Sequence, residues 1–317
     1  MLRGRGLALT TTVRLPELPL DQWQTTRDTL HLWAQVVGKV KLASTPPRNH
    51  LWHAALYPGV TGLTTGRIGL GPLRFALDLD LVGHELVLRT GDGARDGFAL
   101  ADGLSVAEFD KRLHELLHRA GLGVDIVERP HGAPGPAVPF QLDAEHAGYD
   151  QEAAGRWWRA LDWVALEFEE FAGWYQGKQS PVHLFWHTFD LVLTRLSGRP
   201  VPAEVDADPA TREAWSHELV SFGFWPGDRV TRHAAFYAQI WPEPDGLAEH
   251  ELRPAQATWR ELEGRSLALL DYDAVRTAAD PRRALLHFLQ SAWEACAGAA
   301  YWDRDELASS FDRSAEL

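Results

Sequence analysis

The sequence predicts an α+β protein of two similar lobes. Both halves of the chain run helix, several strands, helix, and residues 98–117 and 267–289 each show a strand, a short turn and an apolar-striped helix. Apolar and polar residues alternate over 73–81, which is typical of a half-buried antiparallel strand. We infer an ancient duplication in which two antiparallel sheets face each other across a central groove.

The first predicted helix begins at Asp21, because Gln24 stands where a capping partner is expected and apolar residues then recur at helical spacing. We expect it to end at Val37, since glycine at position 38 is a common helix stop. The short aromatic segment 50–57, with turn residues on both sides, predicts a strand.

A second helix follows the sheet of the first half. Ser105 and Glu108 form a capping box, and one apolar stripe continues until Gly121. Further strands of this half are predicted over 85–90, 97–100 and 124–128.

The second half repeats this order of elements. Asp150 caps a long helix that closes near Gly177, and Asp280 followed by proline opens a final helix that contains Cys296 in its apolar stripe. Strands are predicted over 182–196, 219–224, 235–241, 257–262 and 266–270. We divide the chain into an N-terminal lobe (1–130), a linker rich in proline and glycine (131–145) and a C-terminal lobe (146–317), joined as one compact unit.

Composition excludes several classes of protein. The 317 residues include 31 basic and 44 acidic side chains, a net charge of −13, and one cysteine. A lone thiol forms no intrachain disulfide, which indicates a reducing cytoplasm. The negative charge disfavours nucleic acid and anionic membranes as partners, and no segment approaches the roughly 18 uninterrupted apolar residues of a membrane span.

Lysine and asparagine are scarce in this sequence. Four of the 31 basic residues are lysine and a single asparagine is present, a bias typical of a GC-rich genome. Mutation in a GC-rich genome tends to replace lysine, so the lysines that remain are candidates for a functional role, although flexible lysines are ordinarily solvated. The candidates are Lys39, Lys41, Lys178 and Asn49.

The second helix contains an H-E-x-x-H sequence formed by His114, Glu115 and His118. Two imidazoles one turn apart can chelate zinc while the glutamate activates water. On a helical projection, however, both histidines lie away from the apolar stripe, as on a solvated face. Valine occupies the place of a third histidine, and Glu128 or Glu145 would have to substitute.

The segment 180–199 embeds polar side chains in an aromatic and aliphatic run. Buried histidine, aspartate and arginine are costly unless they are paired or used. His183 shares a face with Arg195 if the segment is a strand and with Asp190 if it is a helix. A self-satisfied hydrogen-bond network is the structural alternative to a functional site.

Two further histidine segments are candidates. His217 and Glu218 precede a strand and a loop, so they are placed for delivery to a groove. In an extended strand His50 and His53 point to opposite sides, and Tyr57 shares the side of His53.

The chain resembles an uncharacterised bacterial family, catalogued as domain of unknown function 5996. The resemblance rests on the motifs around Asn49 to Tyr57, Gly62 to Thr65, Ser180 to Arg199, Ser216 to Gly227 and Phe288 to Ser291, and it spans about residues 15–307. It implies that the whole chain is one evolutionary unit, and it implies no activity. His50, His53, His183, His217 and Glu218 lie in the matching motifs, whereas the H-E-x-x-H letters do not.

These observations favour a cytoplasmic enzyme that acts on a small anionic or aromatic molecule. His183, His217 and Glu218 would act as ligands of a divalent transition metal or as acid/base groups, Asp190 would assist them, and Arg195 would hold an anionic substituent. The ligand-binding candidates are His50, Trp52, His53, Tyr57, Trp225, Tyr237 and Lys39. A non-catalytic ligand-binding or assembly protein is the second hypothesis, and a zinc metallopeptidase through His114, Glu115 and His118 is the third.

Overall fold

A computed structural model describes residues 14–132, 137–202, 207–228, 231–262 and 264–309 of the chain. Within these residues the protein has seven α-helices and two antiparallel sheets of six strands each, which confirms the α+β class. The proposed linker falls partly on residues 133–136, which lie outside the described ranges.

The first sheet belongs to the N-terminal half. In sequence, its strands come between helices α1 (Leu20–Ser44) and α2 (Val106–Arg119). Its strands are β1 (Tyr57–Pro58), β2 (Gly62–Thr64), β3 (Ile68–Leu70), β4 (Leu73–Asp80), β5 (Glu85–Thr90) and β6 (Arg95–Ala99). The order is β1-β2-β4-β5-β6, with β3 also paired to β4.

The second sheet belongs to the C-terminal half. In sequence, its strands come between helices α3 (Gln151–Ala172) and α6 (Pro281–Ala299). Its strands are β7 (His183–Phe185), β8 (Asp190–Pro200), β9 (His217–Trp225), β10 (Ala235–Trp241), β11 (Thr258–Leu262) and β12 (Arg265–Asp271). They lie in the order β11-β12-β10-β9-β8-β7. Short helices α4 (Pro209–Ala214), α5 (Tyr272–Arg276) and α7 (Arg304–Leu307) complete this half.

Most of the predicted helix starts are confirmed by their capping bonds. The side chain of Ser105 accepts from the Glu108 amide at 3.2 Å. Asp150 caps α3 and Asp280 caps α6, each by accepting from the amide three residues later. The alternating residues of β4 also behave as predicted, because Phe75, Leu77 and Leu79 are buried in the core.

The predicted end of α1 at Val37 is wrong, because Gly38 lies inside the helix. A Cβ atom at this position would overlap the indole of Trp186, which donates a hydrogen bond to the Ala54 carbonyl at 2.7 Å. The glycine therefore serves close packing, and the helix continues to Ser44. Its start is also corrected, since the residue before Leu20 is a proline and no side chain caps the helix.

Two predicted strands of the N-terminal half are absent from the described residues. Instead of a strand over 50–57, Asn49–Leu51 forms a 3₁₀ turn in which His50 and Leu51 have positive φ values of 56° and 58°. The His50 amide donates to the Glu213 carboxylate at 3.0 Å, which ties this turn to α4. Residues 124–128 form no strand and are not part of either sheet.

The two sheets meet at their edges. Leu56, beside β1, and Leu184 of β7 exchange two backbone hydrogen bonds of 2.9 and 2.8 Å. Buried hydrophobic residues from Leu15 to Trp302 form one core cluster. Helix α1 contributes to it by packing against both α2 and α3. The duplication stays a prediction.

None of the helices in the described ranges is both long enough and apolar enough to traverse a lipid bilayer.

Candidate anion-binding site

A cavity of about 690 Å³ lies where the end of α1 meets the first sheet and the start of the C-terminal half. Its lining includes five side chains that are basic or imidazole, and it includes no aspartate or glutamate. These five are Lys41, Arg48, His53, Arg67 and Arg74. In a protein with a net charge of −13, such a lining marks a local reversal of charge.

Lys41 forms the buried part of this cavity. The two turns of α1 beyond Gly38 carry it there, and only 4% of the residue is exposed. Its Nζ donates to the Ala55 carbonyl and lies 4.0 Å from the centre of the Tyr57 ring. Burial, assisted by the charge of Arg48, lowers the pKa of Lys41 to about 7.

His53 is the second buried group of the lining. Its Nδ1 accepts a hydrogen bond from the Arg48 amide at 3.1 Å. Burial lowers the pKa of His53, and the nearby Lys41 and Arg48 lower it further, although the Arg48 amide contact has the opposite effect. In the neutral ring that results, Nδ1 is the acceptor, so Nε2 carries the proton and is a donor.

Three arginines form the exposed rim of the cavity. The guanidinium of Arg74 donates to the carbonyls of Gly71 and Leu73 at 2.8 and 2.7 Å. Within the described residues, none of Arg48, Arg67 and Arg74 forms an ion pair with a carboxylate. Unpaired guanidinium groups around a buried ammonium group are suited to binding carboxylate or phosphate oxygens.

Of the predicted site residues, His53 and Tyr57 line this cavity. The Tyr57 hydroxyl donates weakly to the Trp52 carbonyl at 3.4 Å, and burial raises the pKa of Tyr57. Lys39 lies on α1 near the rings of Phe140 and Trp186, at 6.0 and 5.5 Å.

A second group brings together His50, Trp52 and His217. The His50 ring lies 5.1 Å from Trp52 and 5.4 Å from His217. Its Nε2 is 3.1 Å from the Nζ of Lys178. Burial lowers the pKa of His50, with Lys178 the next cause. The rings of this cluster therefore contact one another, and Lys178 contacts the His50 ring.

His183 lies in the interior rather than in a groove. It is fully buried in β7, and its Nδ1 donates to the Pro181 carbonyl at 2.7 Å. Its Nε2 has no hydrogen-bond partner among the described residues. Burial lowers the pKa of His183 to about 4, so the ring is neutral.

Arg195 and Asp190 of β8 form structural contacts. The Arg195 guanidinium donates to the Phe171 carbonyl at 2.5 Å. Four aromatic rings surround it, with centroids 3.7 to 5.7 Å from its Cζ: Phe171, Tyr175, Phe222 and Trp293. Asp190 accepts from the hydroxyls of Thr188 and Tyr237, and Trp225 packs on the Tyr237 ring at 5.4 Å.

The prediction that these side chains line one shared groove is therefore corrected. Glu218 pairs with Arg199 at 2.8 Å and accepts from Ser197, and among the described residues it forms no three-residue group of close ligand atoms with His183 and His217. The described residues contain one group of three metal-ligating side chains with close ligand atoms, formed by Asp110, His114 and Glu128. Glu115 and His118 of the H-E-x-x-H sequence are exposed and do not belong to this group.

The rim arginines were missed by the sequence reasoning, although a signal was present. Residues 29–77 contain no aspartate or glutamate, in a chain that has 44 of them. All the basic side chains of the cavity come from this acid-free segment. Because this segment is long and has no acidic side chain, its basic side chains have no carboxylate nearby in the sequence with which to form ion pairs.

Comparison with known proteins gives one match. The chain matches no curated protein and no solved structure. The model of one family, described as a family of unknown function (DUF5996), matches residues 15–309 and so covers nearly the whole chain. The chain belongs to this family of unknown function.

Proposed function

We propose that the protein binds a small organic anion in the basic cavity and that Lys41 provides a reactive amine there. The observation that carries this proposal is the lining itself, in which a buried lysine, a histidine and three arginines surround open space without a carboxylate. A cluster of like charges is unfavourable unless an anion binds among them.

The chemistry follows from the two layers of the cavity. The rim arginines would hold a carboxylate or phosphate group through paired N–H donors. Lys41 has a pKa of about 7, so a large fraction of its amine is unprotonated at neutral pH. An unprotonated amine acts as a base or as a nucleophile toward a carbonyl carbon.

A 2-oxo acid offers both groups that this arrangement would recognise. The Lys41 amine would attack its carbonyl carbon, and loss of the carbonyl oxygen as water would give an imine. Both hydrogens of that water come from the Lys41 amine, and the neutral His53 would donate a hydrogen bond from Nε2 to the oxygen as it departs. Binding without this reaction is the second hypothesis, a non-catalytic ligand-binding protein.

The cellular setting that we propose is the cytoplasm. Its support is the single cysteine, Cys296, which is buried in α6 and forms no disulfide. The net charge of −13 supports a small ligand over a nucleic acid as partner.

Calorimetry with pyruvate as the probe tests binding, and borohydride reduction followed by mass spectrometry tests imine formation. The wild type should bind the probe and retain a covalent adduct on Lys41. Lys41→Met should abolish the adduct, and Arg67→Ala should weaken binding. Arg112→Ala is the matched control, since Arg112 pairs with Glu108 on α2, away from the cavity.

The outcomes separate the hypotheses. Binding of pyruvate or inorganic phosphate that needs the rim arginines but leaves no adduct would favour the non-catalytic protein. If neither probe binds, or if Arg67→Ala and Arg112→Ala bind alike, the cavity is not an anion site.

A further inference from the structure

A second polar cluster lies on α2, and its three side chains are not part of the lining of the basic cavity. Asp110 and His114 are one turn apart on the same face of the helix. Glu128 reaches them from the irregular segment that follows α2, where its carbonyl accepts from the Phe140 amide at 3.0 Å. Two separate backbone segments thus present three potential ligand atoms to one point.

The spacing of these atoms fits a metal ion. The Nε2 of His114 lies 3.2 Å from the nearest Glu128 oxygen and 3.5 Å from the nearest Asp110 oxygen, and all three ligand atoms lie within 4.8 Å of one another. Zinc bonds of about 2.0–2.1 Å in a tetrahedron place neighbouring ligand atoms about 3.3–3.4 Å apart. The two measured distances lie on either side of this value.

The hydrogen bonding of the cluster is incomplete. Asp110 Oδ1, His114 Nε2 and Glu128 Oε2 are each buried and form no well-aligned hydrogen bond among the described residues, although His114 Nε2 lies at ion-pair distance from both carboxylates. Asp110 is only 4% exposed, so its unpartnered carboxylate oxygen is directed into the cluster rather than toward solvent. Buried polar atoms without partners are rare in folded proteins because each one costs free energy. A bound cation would satisfy all three.

We propose that Asp110, His114 and Glu128 bind a divalent transition-metal ion, with Zn²⁺ as the test ion. One imidazole nitrogen and two carboxylate oxygens suit zinc and its neighbours, whereas Ca²⁺ requires six to eight oxygens. Three protein ligands leave a fourth tetrahedral position for water, as in zinc sites that react with a substrate.

The surroundings allow an ion to enter and limit its affinity. The side chains of His114 and Glu128 are about one-third exposed, so the cluster is accessible from solvent. Lys39 of α1 interacts electrostatically with Glu128 without forming an ion pair in the described structure. Two carboxylates thus face one nearby ammonium group, and the site retains an excess of negative charge.

This site shares only His114 with the H-E-x-x-H zinc pattern. Glu115 and His118 are exposed and are not within the cluster. His118→Ala is therefore a matched control variant, because the two readings make opposite predictions for it.

The test is calorimetric titration of Zn²⁺ into the full chain, freed of any affinity tag and treated with a chelator. We expect one Zn²⁺ per chain in the wild type and in His118→Ala. His114→Ala and Glu128→Gln should each weaken binding by more than the roughly 10–100-fold that loss of an outer-shell partner costs. The absorption of bound Co²⁺ should report the same site, and it should be lost in both ligand variants.

Three results would overturn the proposal. They are no saturable Zn²⁺ binding to the wild type, equal binding by wild type and Glu128→Gln, and loss of binding in His118→Ala. The first would identify the cluster as a protonated His114 shared by two carboxylates. Circular dichroism melting of each variant guards against misfolding, and Asp110→Asn, which preserves shape, provides an additional ligand variant.

Discussion

Lys41 and Arg195 are both buried cations without an ion pair in the described structure, yet they lie in opposite environments. Arg195 is enclosed by four aromatic rings and a backbone carbonyl. Lys41 borders a cavity of about 690 Å³ together with three arginines. Burial of a charge therefore does not by itself mark a functional site. Open space beside the charge distinguishes the two regions.

The largest expected effect is at the enclosed cation. Arg195→Ala should lower the free energy of unfolding by about 3–5 kcal/mol, as for other large buried side chains, because it leaves a void among the aromatic rings. Urea denaturation measures this loss. Arg199→Ala, at the exposed end of β8, is the control and should cost less than about 1 kcal/mol. Loss of anion binding in Arg195→Ala without loss of stability would break the comparison.

Tyr237→Phe should have the next largest effect, about 1.5–3 kcal/mol of unfolding free energy, because it removes a hydrogen bond to a buried carboxylate. Burial raises the pKa of Asp190, and its two hydroxyl donors oppose that rise. Loss of one donor should raise it further, which an NMR titration would detect. Tyr301→Phe is the control, since Tyr301 is 90% exposed. An unchanged stability would show that Asp190 is not held as a structural group.

At Lys41 the expected effect is a change in the pH dependence of stability. The unfolded chain keeps the Lys41 proton up to a pKa near 10.5, whereas the folded protein loses it near pH 7. Between these values the unfolded state binds more protons, so this group makes the free energy of unfolding rise with pH. Lys41→Met should remove that rise, and denaturation across this range measures it. Parallel curves for the two proteins would mean that Lys41 is solvated.

The smallest effect on stability is expected at the cavity rim. Arg67→Ala should change the free energy of unfolding by less than about 0.5 kcal/mol, because the side chain is exposed and unpaired. It should nevertheless weaken anion binding, more so at low salt, where exposed charges are less screened. Titrations at two salt concentrations, with Arg112→Ala alongside, would sharpen the contrast. A large loss of stability at Arg67 would assign the rim a structural role.

Helices and strands were predicted well where the sequence pattern depends on residues only a few positions apart. The Ser105–Glu108 cap and the alternation in β4 depend on neighbours in the sequence, and both are confirmed. Gly38 could not be interpreted in this way, because its role depends on Trp186, a residue 148 positions further along the chain. A glycine that ends a helix and one that admits a packed indole look the same in the sequence.

The candidate site was predicted in part. His53 and Tyr57 were identified on the expectation that they share one side of a strand, and both line the cavity although residues 50–57 do not form that strand. Arg195 was expected to hold an anion, but it is enclosed by four aromatic rings and donates to a backbone carbonyl, with no open space beside it. The rim arginines are ordinary surface residues in sequence, and only the fold shows that they share one cavity with Lys41.

The backbone pairing of Leu56 with Leu184 joins the two halves of the chain beside the cavity. Pro181, three residues before Leu184, belongs to the cavity wall, while the basic groups come from the N-terminal half. A chimera that joins the N-terminal half of one homologue to the C-terminal half of another must therefore keep this edge contact intact. The cavity wall is thus shared between the two halves of the chain, and its completeness depends on the contact between the edges of their sheets.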